Sequence, residues 1–214
     1  MEDCIMKKIV RKTKTILAIL LVSTLMFSFG TTSVSAADNV TGRMGPYQLS
    51  NGIGSVKYYI TNSILNNSMG STLVTLINNA ANSWVNTGYG YNPLYMNRTY
   101  DLYSSNLDIY GSTQIIESFN RVDVSYWRGT SASSTRVTPL DSNWTYCEMI
   151  LYVSMHDPNN YNKLQRSIAH GMGHTFGLDD NYNNSNSVMC DFYHECYVYK
   201  PGIMDHNGLN TIYG

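Results

Sequence analysis

The tightest constraint on this chain is one eleven-residue run, His170-Gly171-Met172-Gly173-His174-Thr175-Phe176-Gly177-Leu178-Asp179-Asp180. Tyr161, Leu164, Ile168 and Met172 recur at helical spacing, with Asn159 or Asn160 placed to cap the start, which predicts a helix running to Gly177. His170 and His174 are one turn apart, so both imidazoles leave the same face, well off that apolar stripe. A single helical histidine is usually a core or surface residue; two on a face that does not pack can share a cation. Gly177 can take the left-handed conformation that ends a helix and turns the chain back. Asp180 then completes a tripod of two nitrogens and one carboxylate oxygen with a fourth position open, a donor set that predicts Zn2+. Asp179 is the competing ligand, its other role being to accept a histidine N–H; loop geometry favours Asp180.

The chain begins as exported proteins do. Lys7, Lys8, Arg11, Lys12 and Lys14 precede an uncharged run from Thr15 to Phe29, and Val34-Ser35-Ala36 offers small residues for cleavage, so residues 1–36 read as a signal peptide. The run is shorter than the ~20 residues that span a bilayer, which argues against a retained anchor. Secretion is expected, with no membrane association after cleavage. The remaining residues suffice for one domain with a core. From position 37 onward 9 Lys and Arg face 13 Asp and Glu, without a basic run, which argues against a nucleic-acid partner. Cys147, Cys190 and Cys196 follow the signal, so at most one intramolecular pair forms; Cys190 with Cys196 closes a short loop, while Cys147 is the alternative partner.

Glycines and Pro46 mark residues 37–54 as a mature lead-in, leaving 55–214 as the domain. Val56 to Ile60 reads as a strand, and Leu73, Ile77, Ala80 and Trp84 then recur at helical spacing up to Gly88. Short strand-like pieces follow between Tyr95 and Val137, the clearest carrying Val122, Val124 and Tyr126 in alternation. Cys147, Met149, Leu151, Val153 and Met155 alternate with mixed residues, predicting a strand over Tyr146 to Met155. A short last helix is expected with Asp205 as N-cap and Leu209 and Ile212 inward. The fold class is therefore α+β: a twisted mixed sheet of about five strands with two main helices and a metal cleft.

Residues 170–180 resemble the H-E-x-x-H-x-x-G-x-x-H signature of metzincin zinc peptidases, in a version with Asp as third ligand. Ser187-Val188-Met189 resembles the Met-turn, whose methionine lies beneath the ligands without binding metal; Met204 is the weaker match. The ending, Pro201 to Asp205 with Gly208, Leu209, Ile212, Tyr213 and Gly214, is similar to the close of matrixin catalytic domains. The resemblance spans roughly residues 55 to 214 and implies a monomeric, secreted zinc endopeptidase acting on an extended peptide or protein substrate. In that family the substrate pairs with an exposed edge strand, a role expected here of Tyr146 to Met155.

One departure bears directly on chemistry. Gly171 stands where the family holds the glutamate that moves protons during hydrolysis, and a glycine can do neither transfer. Loss of a positioned base typically removes roughly two to four orders of magnitude in rate. Glycine in a helix interior also costs about 0.5 to 1 kcal/mol relative to alanine, with no structural return visible in the sequence. Glu195 is the substitute carboxylate to consider. Two functions follow: a zinc endopeptidase, or a noncatalytic zinc- or peptide-binding pseudopeptidase.

Overall fold

The computed structural model describes residues 40–114, 122–130, 133–155, 160–182, 184–191 and 196–214. The expected signal peptide and Glu195 lie outside them. The architecture is α+β, built on one mixed sheet of six strands: β1 (Val56–Ile60), β2 (Met96–Thr99), β3 (Leu107–Ser112), β4 (Val122–Thr130), β5 (Ser133–Val137) and β6 (Tyr146–Tyr152), in the order β2-β1-β3-β6-β4-β5. β2, β1, β3 and β6 run parallel to one another, whereas β4 is antiparallel to both β6 and β5.

Period-two alternation divides the sheet cleanly. Tyr58, Ile60, Leu107, Ile109, Val122, Tyr126, Cys147, Met149 and Leu151 are buried on one face. Over that face lie the two main helices, α2 (Gly70–Val85) and α3 (Tyr161–Thr175), preceded by the single turn α1 (Asn62–Leu65) and followed by α4 (Ile203–Tyr213). Leu73, Ile77, Ala80 and Trp84 of α2 are fully buried, as their spacing requires. The Trp84 indole N–H donates to the Ala169 carbonyl at 2.8 Å and meets the edge of Phe176 at 5.6 Å, locking α2 to α3.

Several expectations need correction. Tyr161, the first residue of α3, is 49 % exposed; of the expected stripe Leu164, Ile168 and Met172 are buried. β6 ends at Tyr152, and Val153–Met155 is a 3-10 turn. Nor is β6 an edge, since β3 pairs with it on one side and β4 on the other. The sheet edge near the site belongs instead to β4: Val122–Ser125 pairs with β6, while β5 covers only Tyr126–Thr130. Asp205 is not the N-cap of α4; Gly202 is, and Asp205 sits three residues in with its carboxylate accepting the Gly202 N–H at 2.8 Å.

Residues 40–54 are tied into the domain. Thr41 N–H donates to Met204 O at 3.0 Å, Met44 N–H to Gly177 O at 2.9 Å, and Asp179 N–H to Gly42 O at 2.9 Å. Leu49 and Ile53 enter the core.

Candidate metal centre

Asn160 caps α3 by accepting the Lys163 N–H at 3.1 Å, and at the other end Gly177 adopts φ +89°. Leu178 N–H reaches back to Gly173 O at 3.1 Å and Gly177 N–H to His174 O at 2.9 Å, the paired bonds of a Schellman ending. This turn redirects the chain so that Asp180 returns beside the histidines, and it places the Leu178 carbonyl 2.9 Å from His174 Nδ1. His170 Nδ1 stands 3.1 Å from the Val188 carbonyl. A carbonyl only accepts, so each Nδ1 carries the proton, and each Nε2 turns its lone pair toward the Asp180 carboxylate and the other imidazole.

The three facing atoms form a tight triangle. His174 Nε2 is 3.0 Å from His170 Nε2, and Asp180 Oδ1 is 3.2 Å and 3.6 Å from the two nitrogens. Ligands about 2.0–2.1 Å from one tetrahedral ion stand about 3.3 Å apart, so this spacing fits a zinc-sized cation. Among the described residues this is the group of three ligating side chains that could hold a metal. Asp179 is not in it: its Oδ1 accepts the Asp180 N–H at 2.9 Å, fixing the backbone that presents Asp180. Burial and the neighbouring His170 push the His174 pKa down to about 4, against the pull of Asp180. Burial acts to raise the Asp180 carboxyl, but His170, His174 and a hydrogen bond from Tyr182 hold it below its usual value. Burial thus keeps the His174 imidazole neutral beside an ionised Asp180 carboxylate, the protonation state that ligation needs.

The Met189 thioether lies so close to Gly173 of α3 that a Cβ there would collide with it. Both residues are fully buried or nearly so, and Met204 lies elsewhere, on α4. Gly171 does have a structural return, contrary to the expectation from helix propensity. A Cβ at that position would stand 2.5 Å from Val122 Cγ1 and 2.7 Å from Met149 Sδ, so the glycine lets α3 approach β4 and β6 closely. Cys190 and Cys196 are joined by a disulfide, and Cys147 is a free, buried thiol.

A cleft of about 430 Å³ opens onto the triangle, and Met44, Asp123, Tyr126, Tyr182 and Asp191 are among the residues that line it. Sequence reasoning singled out none of these in the site. Tyr182, two residues beyond Asp180, was within reach of a spacing argument; Met44 and Tyr126 were not, because they arrive from distant segments. The Tyr126 hydroxyl lies 3.1 Å from His174 O and 3.3 Å from Met44 Sδ, and burial keeps it neutral by raising its pKa well above the usual value. No protein-family model matches the chain, and no curated protein matches it in sequence.

Proposed function

We propose that this chain is a secreted zinc protein of the metalloendopeptidase type, with His170, His174 and Asp180 as ligands and Met189 as the Met-turn methionine. The observation that carries the proposal is the triangle of two Nε2 atoms and Asp180 Oδ1 at 3.0, 3.2 and 3.6 Å, each imidazole oriented by a backbone carbonyl. Bound zinc would supply Lewis acidity, polarising a peptide carbonyl and acidifying water. The protein's own part is to hold an extended polypeptide beside it. Val122–Val124 of β4 borders the cleft and is not paired with β5, so its backbone can accept an added strand of substrate.

Gly171 favours a second reading, a noncatalytic zinc- and peptide-binding pseudopeptidase. Nothing at that position carries a proton, and Val122 with Met149 fills the space next to it. Metal analysis of the purified exported protein, beside hydrolysis of a fluorogenic peptide, separates the readings. Stoichiometric zinc with chelator-sensitive cleavage supports the endopeptidase, zinc without cleavage supports the pseudopeptidase, and protein that takes up no zinc overturns both.

A further inference from the structure

The sheet face turned away from α2 and α3 carries chemistry that the metal centre does not use. The alternation that sends Leu107, Ile109, Cys147 and Met149 into the core sends Asp108, Tyr110, Tyr146 and Glu148 to the other side. Asp108 and Glu148 are register partners on the neighbouring strands β3 and β6. Like charges paired this way are destabilising unless something neutralises them. Their partners inside the fold are neutral: Ser105 Oγ donates to Asp108 Oδ1 at 2.5 Å, and Trp127 Nε1 donates to Glu148 Oε2 at 2.9 Å. Among the described residues neither carboxylate has a lysine or arginine ion-pair partner.

Of these acids Asp108 is buried and Glu148 half-buried. They line a cavity of about 430 Å³ with Tyr103, Tyr110 and Tyr146, and the Tyr103 ring is 81 % exposed at its rim. Trp127 stacks on Tyr146 at 6.2 Å with ring planes 9° apart, stiffening the wall. Burial raises the Asp108 pKa, with the Ser105 bond opposing and Glu148 adding to the rise. Tyr110 is pushed up to about 12, first by burial and then by both carboxylates, and so stays a neutral ring. A metal ion is a poor occupant, because no third ligating side chain joins the pair among the described residues. Aromatic faces around two carboxylates suit a planar organic cation, which stacks on rings and takes carboxylates along its edge.

We propose that this cavity is a docking site for an arginine side chain of a polypeptide partner, its guanidinium held by Asp108 and Glu148 against the rings of Tyr103 and Tyr110. The inference is independent of the metal reading, since the site lies on the other face of the sheet. The charge of the cavity selects a cation, and its aromatic lining selects guanidinium over the more strongly hydrated ammonium.

The test is titration of the full exported protein with acetylated, amidated Gly-Arg-Gly, followed by NMR of the Trp127 indole N–H and by calorimetry. The same peptide with citrulline keeps the shape and removes the charge. Expected results are a saturable Trp127 shift with the arginine peptide, none with citrulline, and affinity lowered about tenfold or more by Asp108→Asn and by Glu148→Gln, each verified as folded by circular dichroism. The proposal is overturned by absent saturation, by equal binding of the citrulline peptide, or by undiminished affinity in both variants. Methylguanidinium binding as tightly as the peptide would also overturn it, marking a small-cation site instead of polypeptide docking.

Discussion

Asp205 Oδ2 accepts the Val188 N–H at 2.8 Å, and the carbonyl of that same Val188 stands 3.1 Å from His170 Nδ1. The fully buried carboxylate also accepts the Gly202 N–H at 2.8 Å, the Thr41 hydroxyl at 2.7 Å and the Ser187 hydroxyl. One side chain therefore joins residue 41, the loop at 187–188 and the start of α4 to His170 of the triangle.

Asp205→Asn should lower stability by about 3 kcal/mol, since an amide nitrogen cannot accept: either the two N–H groups on Oδ2 or the Thr41 and Ser187 hydroxyls on Oδ1 lose their acceptor. It should also weaken zinc binding, because the 187–188 segment, whose Val188 carbonyl faces His170, loses part of its anchor to Asp205. Urea unfolding and a zinc competition titration report the two effects separately. Unchanged zinc affinity in a destabilised variant would confine Asp205 to the fold.

At the triangle itself, His174→Ala and Asp180→Asn should each abolish stoichiometric zinc, while Asp179→Asn should retain it. The contrast follows from geometry: Asp180 Oδ1 faces both Nε2 atoms, and Asp179 Oδ1 is turned to the Asp180 N–H. Met189→Leu should cost stability, about 1 kcal/mol as a near-isosteric change, and leave zinc content intact. Metal analysis of the four purified variants decides the matter, and full zinc in His174→Ala would dispose of the site.

The Cys190–Cys196 bond closes a short loop directly after Met189. Replacing both cysteines by serine should lower stability by about 2 kcal/mol through the freed unfolded chain. Peptide mapping without reduction gives the direct check: a Cys147 cross-link, or three free thiols, contradicts the pairing.

The parts of this protein written locally were legible in the sequence. Helical spacing exposed the buried stripe of α2, the histidine pair and the turn at Gly177, because each depends on residues within a few positions of one another. Strand order was not legible. The alternation over Tyr146 to Tyr152 is the same whether a strand is interior or edge, and pairing with β3 and β4 is decided by distant segments. Asp205 was misread for a related reason. An acidic residue near a helix start looks like a cap, and its actual partners at Thr41, Ser187 and Val188 are far along the chain. Gly171 was read through propensity alone, which contains no term for the side chains of β4 and β6.

That packing reshapes the sharpest test of catalysis. A glutamate at position 171 restores a proton carrier to the ligand helix, one residue after His170. Its Cβ, however, meets Val122 Cγ1 at 2.5 Å, whereas Val122 Cβ would be 3.4 Å away and Met149 ends in a flexible thioether. Gly171→Glu alone should therefore be destabilised by about 1–3 kcal/mol through overpacking and gain little activity. Adding Val122→Ala removes the offending methyl, and the double variant should recover stability. It should also hydrolyse a fluorogenic peptide at least about 100-fold faster than Val122→Ala alone, the low end of what a positioned base contributes. Thermal unfolding and peptide hydrolysis with zinc restored measure both halves. A single variant as stable as the parent would refute the packing argument, and a zinc-loaded double variant with no gain in hydrolysis would show that the cleft lacks more than its base.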